Sequence, residues 1–90
     1  MTIKYFADIR EVTGREDQQW TKPAPTLRAL LAGLCDAYGA ALARRLFDAG
    51  TLNGTITVLV NGRNVVHLAG LDTPLQQDDV VVIFPMVAGG

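Results

Sequence analysis

The segment Val80-Val81-Val82-Ile83-Phe84, close to the end of a 90-residue chain, does most to limit how the rest can fold. It is β-branched, aromatic and apolar without alternation, the pattern of a strand buried on both faces at the centre of a sheet. Proline has no N–H to give to a ladder, so Pro85 ends the strand. A central strand this late in the chain must find its partners among earlier segments. The first candidate is at the opposite terminus, where Ile3, Tyr5, Ala7 and Ile9 fall on one face of an alternating segment.

Between these ends the pattern supplies one long helix and further strands. Thr13-Gly14-Arg15 reads as a turn, and Glu16–Thr21 as the returning strand of a hairpin anchored by Trp20. Pro23 and Pro25 stop pairing beyond it. Thr26 is placed to cap a helix, its hydroxyl accepting an orphan N–H of the first turn. Leu27, Leu30, Leu31, Leu34 and Tyr38 then recur at helical spacing as one apolar stripe, and Gly39 is a suitable stop. Ala40–Phe47 keeps a helical period through Leu42, Leu46 and Phe47, and Asp48-Ala49-Gly50 closes it. Ile56, Val58 and Val60 mark a strand. Asn61-Gly62 follows as a hairpin turn into a brief strand near 64–68, and 69–79 connects to the last strand. The order ββαβββ predicts an α+β domain, a mixed sheet of four to five strands with one main helix across one face.

The usual chemical constellations are missing. Eight basic residues against nine acidic ones leave no concentrated positive face for nucleic acid. The longest apolar run is too short to span a bilayer, and the opening residues lack the apolar core of a signal peptide, so no membrane role and a cytoplasmic address are expected. Cys35 and His67 each stand alone, without metal-ligand spacing, and are expected to be structural or solvated. Asp78-Asp79 directly precedes a strand and reads as a turn cap. Arg10, Arg15 and Arg63 look like ordinary surface charges. No permanently bound cofactor or metal is expected, and no catalytic side chain.

The chemistry is therefore expected at the end of the chain, Met86-Val87-Ala88-Gly89-Gly90. At a background glycine usage of about 7%, two final glycines arise by chance in about one chain in two hundred. The five residues after Pro85 extend about 17 Å, enough to enter another protein's active site. Glycine carries no side chain, so a narrow channel can close around Gly89 and Gly90. The division expected is a folded domain over 1–84 and a C-terminal tail over 85–90. A carboxylate is a poor electrophile, so chemistry at Gly90 requires activation, with ATP consumed by a partner enzyme.

These features resemble the ubiquitin-like sulfur carriers, above all the small subunit of molybdopterin synthase. The resemblance runs over Phe6-Ala7…Arg10-Glu11, Thr26-Leu27…Leu30-Leu31, Val60-Asn61-Gly62-Arg63, Leu71-Asp72-Thr73-Pro74-Leu75 and the closing Ile83-Phe84-Pro85-Met86-Val87-Ala88-Gly89-Gly90. Two positions depart from the family pattern, Asp78 where glycine is common and Met86 where proline or alanine is frequent. The resemblance implies a ubiquitin-like β-grasp fold. It also implies a Gly90 adenylated by an enzyme of the ubiquitin-activating type and converted to a thiocarboxylate. Phe84 and Pro85 would dock a partner while Met86, Val87, Ala88 and Gly89 insert into it. That partner would be the large synthase subunit, which holds the catalytic residues, or another sulfur acceptor enzyme. Carriers serving cysteine biosynthesis or tungsten cofactor assembly share these features, whereas thiamin carriers are usually shorter. A protein modifier joined to lysines through Gly90, or an interaction module with an inert tail, would share the fold.

Overall fold

A computed structural model describes residues 1–85. Among the described residues the chain forms β1 (Thr2–Tyr5), α1 (Ala7–Thr13), β2 (Asp17–Gln19), α2 (Leu27–Tyr38), α3 (Ala40–Leu46), β3 (Phe47–Asp48), β4 (Thr51–Leu52), β5 (Ile56–Val60), β6 (Arg63–Asn64) and β7 (Val80–Pro85). The main sheet has the order β2-β1-β7-β5-β6, with β7 at its centre. β7 runs parallel to β1, Thr2 opposite Val80 and Tyr5 opposite Ile83, and antiparallel to β5, Val60 opposite Val81 and Ile56 opposite Pro85. The expected α+β design and the pairing of last strand with first are both present.

The reading of β7 as buried on both faces needs correction. Val81 and Ile83 are buried beneath the helices, whereas Val80, Val82 and Phe84 are half-exposed on the other face. Among the described residues helices cover one side of this sheet, and the apolar residues of the second face have only neighbouring strands to pack on. The first segment is also corrected. Ala7 and Ile9 do not continue the strand but belong to α1, where Ile9 and Thr13 are buried four residues apart, one helical turn. Thr13-Gly14-Arg15 is therefore a helix stop. Gly14 at φ 73° lies in the left-handed region and its N–H closes on the Arg10 carbonyl. β2 keeps the expected antiparallel pairing with β1 but spans three residues, and Trp20 just beyond it is buried.

α2 forms where the leucine stripe places it. The Thr26 hydroxyl accepts the Ala29 N–H at 3.2 Å, a cap worth about 1 kcal/mol. Leu27, Leu30, Leu31 and Leu34 are fully buried, each contributing about 1.5–3 kcal/mol by leaving water. Gly39 ends α2 at φ 89° and admits α3, which covers the core with Leu42 and Leu46. The segment Asp48-Ala49-Gly50 is the bend of a small β3–β4 hairpin that periodicity did not show. Ala49 and Gly50 both take positive φ, as a two-residue turn between antiparallel strands requires. After Asn61-Gly62, also at positive φ, β6 lasts only two residues, and Val65–His67 turns into a tight 3-10 helix instead of extending to 68.

Two packing details carry consequences. A Cβ on Gly33 would stand 2.8 Å from Cζ2 of buried Trp20, so α2 approaches the indole only because residue 33 has no side chain. Fully buried Tyr5 donates its hydroxyl to Gln18 Oε1 at 2.6 Å, and Tyr38 donates to the same oxygen at 2.5 Å. Burial, reinforced by Tyr38, raises the Tyr5 pKa well above its ordinary value.

Gly33→Ala gains about 1 kcal/mol of helix propensity and loses about 1–3 to overpacking. The expected result in urea unfolding is lower stability, opposite to the usual effect of this substitution in a helix. For Tyr5, the unfolded phenol ionises near 10.0 and the folded one above it. Stability from this group is therefore complete below that pH and is lost as pH rises beyond it. Tyr5→Phe flattens that alkaline loss while costing about 1 kcal/mol near neutrality, measured by urea midpoints across pH.

Candidate functional site

The tail root is built by the way β1 and β7 part company. Phe6 donates its N–H to the Ile83 carbonyl at 3.2 Å, the last rung between the two strands. The alternation of a parallel ladder would next call on the Phe6 carbonyl to accept an N–H from position 85. That carbonyl instead accepts the Ile9 N–H at 3.2 Å as α1 begins. Position 85 has no acceptor on this side, and proline leaves no donor unpaired. Ala7, at φ 53°, makes the break; a left-handed alanine carries strain that a glycine would not.

Two polar clusters flank this exit. On one side the Arg10 guanidinium lies 5.4 Å from the centre of the Phe6 ring, with its Nε donating to the Tyr5 carbonyl at 3.2 Å. On the other, Arg45 pairs with Asp8 and donates to the Thr55 hydroxyl at 2.9 Å. Thr55 adjoins Ile56, the partner of Pro85. The cations beside the exit are arginines, whose guanidinium stays protonated and does not attack acyl groups.

The sheet face away from the helices leads up to the exit. Register and burial place Val80, Val82 and Phe84 there, with Leu59 opposite Val82 and Thr57 opposite Phe84. Phe6, 42% exposed, extends from β1 at its upper end. Thr2 and Lys4 of β1 border the apolar strip. Phe84 and Pro85, expected to dock a partner, thus lie half-exposed at the rim. Met86, Val87, Ala88, Gly89 and Gly90 lie outside the described residues. Phe6 and Leu59 were missed as members of this face; the break in alternation after Tyr5 was the available signal for Phe6.

The far end of β7 is fixed by a buried carboxylate. Asp79 accepts the Gln76 N–H at 2.7 Å and the Asn61 side-chain amide at 2.8 Å, while Asn61 Oδ1 accepts the Val80 N–H at 2.9 Å. Asp79 is therefore a turn cap, as its position before a strand suggested. His67 is exposed on the 3-10 turn. Cys35 is a free, half-buried thiol on α2 whose pKa is raised by burial and then by Asp36. Among the described residues no three His, Cys, Asp or Glu side chains group as metal ligands, and no helix is long and apolar enough to cross a membrane.

Residues 3–90 match the model of the ThiS family. The chain belongs to that family. It is 40% identical to small archaeal modifier protein 3 of Haloferax volcanii over 91 residues, covering all of this chain and 98% of that one. Two solved structures extend the likeness. One is the BexX/CysO complex of Amycolatopsis orientalis, 26% identical with TM-score 0.83, covering 99% of this chain and 98% of that one. The other is a Pyrococcus furiosus protein provisionally assigned as molybdopterin converting factor, subunit 1, 27% identical with TM-score 0.76, covering 96% and 95%. This ThiS-family chain is thus a ubiquitin-like β-grasp protein among sulfur carriers and modifiers.

The exit geometry predicts an asymmetry between two nearby positions of β7, Pro85 and Ile83. Pro85→Ala loses no ladder bond and costs only about 0.4–1 kcal/mol through the freer unfolded chain. Ile83→Ala, two residues back and fully packed, costs about 2–5 kcal/mol. Urea unfolding of the two variants measures the difference directly.

Proposed function

We propose that Gly90 is the reactive residue and that the chain is a sulfur carrier serving as the small subunit of molybdopterin synthase. The observation that carries this reading is the central strand's exit at Pro85, flanked by an apolar face ending in Phe84. Residues 86–90 follow Pro85 in sequence, beside a surface able to hold a partner, so docking and delivery share one edge. The match of the ThiS family through residue 90 supports the same assignment.

The chemistry runs in two displacements on an activating enzyme of the ubiquitin-activating type. A Gly90 carboxylate oxygen attacks the α-phosphorus of ATP and pyrophosphate leaves, giving an acyl adenylate. A sulfur nucleophile, such as hydrosulfide, then attacks the carbonyl carbon and AMP leaves with the electron pair of the broken C–O bond. The resulting thiocarboxylate enters the large subunit and gives up its sulfur for the dithiolene of the molybdenum, or tungsten, cofactor. This chain supplies no catalytic side chain to either step; it supplies the acyl group and the surface that aligns it. An acceptor enzyme for cysteine biosynthesis would receive the same thiocarboxylate.

The full-length likeness to small archaeal modifier protein 3 favours a second reading. In it the activated Gly90 carbonyl is attacked by a lysine amine of a target instead of by sulfur. Both readings share the adenylate and diverge at the nucleophile.

Intact-mass measurement after incubation with ATP, a sulfide source and the cognate activating enzyme separates them. The carrier gains the mass of one oxygen-for-sulfur exchange, and deletion of Gly90 abolishes the gain. Conjugates to other proteins without that gain establish the modifier. Neither product, with the enzyme demonstrably active, overturns both.

A further inference from the structure

The sequence holds only two lysines, Lys4 and Lys22, and the fold sends them to different surfaces. Lys4 lies on β1 opposite Val82, within the apolar face assigned above to partner docking. Lys22 lies at the opposite pole. Trp20 donates its N–H to the Met1 carbonyl at 2.8 Å, one step beyond the Thr2–Val80 pair that begins β7. Two residues further on, the Lys22 ammonium stands 5.4 Å from the centre of the Trp20 ring. The side chain is exposed and borders a groove of about 610 Å³ lined by Trp20, Lys22, Pro23, Pro25, Leu75 and Gln76. Its walls are largely apolar, and Gln76 can bond an extended backbone laid along it.

We infer that Lys22 is the acceptor for the C-terminal tail of a second copy of this chain, with the groove beside it receiving residues 86–90. The inference rests on the activation of Gly90 proposed above and names one amine that its carbonyl meets. A molecule's own tail cannot make the bond. Retracing β7 from Pro85 to the level of Met1 takes about 20 Å, and crossing from β7 to β2 adds about 10 Å sideways, against a tail reach of about 17 Å. The link is therefore between molecules and joins opposite poles. It leaves the apolar face of each copy free to dock the activating enzyme again, so that further copies can be added. Lys4 has the reverse property, since modifying it would obstruct that face.

The step balances without a further reactant. With Gly90 held as its adenylate, the deprotonated Lys22 amine attacks the carbonyl carbon and a C–N bond forms. The C–O bond to AMP breaks, AMP leaves with its electron pair, and the proton of the amine passes to water.

The test uses the full chain with its activating enzyme and ATP, without a sulfur source. ATP–pyrophosphate exchange reports adenylation, intact mass reports linkage, and peptide mass mapping locates it. The expected product weighs two chains less one water, with Gly90 joined to Lys22. Lys22→Arg abolishes it while Lys4→Arg does not. Arg keeps the cation over Trp20, and unchanged pyrophosphate exchange by Lys22→Arg shows that its fold and activation are intact. Exchange without a linked product, or a link mapped to Lys4 or the N-terminus, overturns this inference and leaves Gly90 activation standing. Absence of exchange overturns both.

Discussion

The double pairing of β7 is the constraint on which the rest of the molecule depends. One strand from the end of the chain lies between β1 from its beginning and β5 from its middle, and neither neighbour pairs with the other. Without β7 the sheet falls into two hairpin-like fragments, β2–β1 and β5–β6, too small to hold a core on their own. Its buried residues Val81 and Ile83 share one core cluster with Leu30, Leu31 and Leu34 of α2. The same strand thus joins the backbone ladder and the side-chain core. These contacts are distant in sequence, so ordering β7 closes nearly the whole chain into one cooperative unit.

In the proposed function the reactive Gly90 follows the strand that holds the fold together. Among the described residues the last to be buried in the core is Ile83; beyond it Phe84 faces the open side and Pro85, though paired with Ile56, meets no acceptor on β1. The costs are local. Ala7 holds a left-handed conformation to turn the chain away from β7, and the open face keeps apolar residues half-exposed. An apolar strip bordered by Lys4 and Thr2 is what a reversible partner surface requires.

The elements visible in the sequence were those whose pattern is decided within a few residues. The leucine stripe of α2, the Thr26 cap and the Asn61-Gly62 turn answer to local chemistry, and each formed where its residues placed it. The failures came where tertiary context chose between local options. Ile3, Tyr5, Ala7 and Ile9 fit a strand period, yet Ile9 and Thr13 fit a helix equally well, and seven residues are too few for periodicity to decide. The β3–β4 hairpin has two residues a side and leaves no period to find. The run 80–84 was read as doubly buried because residue type does not tell a helix-covered face from one awaiting a partner. For the proposed site, the terminal glycines lie outside the described residues, while Phe84 and Pro85 are half-exposed at the rim of the sheet. The face that leads to it was only partly visible, since Leu59 and Phe6 join Phe84 through register, a property of pairing and not of any one segment.

Register also connects the two ends of β7. Side chains alternate, so a slip of one residue would turn Val81 and Ile83 outward and drive Phe84 beneath the helices. It would also move the tail root by about 3.3 Å along the strand. The Asn61–Asp79 cluster opposes that slip. The left-handed Asn61 is held by the turn, its side chain takes the Val80 N–H and gives its own to Asp79, and Asp79 is fixed by Gln76. The Thr2 N–H, on the other flank, closes on the Asp79 carbonyl at 3.0 Å. Val80 is therefore located from both neighbouring strands before the first residue of β7 enters the core. A buried carboxylate at one pole thus sets where Pro85 emerges at the other. Asp79 thus bears on the position of Pro85 through geometry alone, at the full length of a strand.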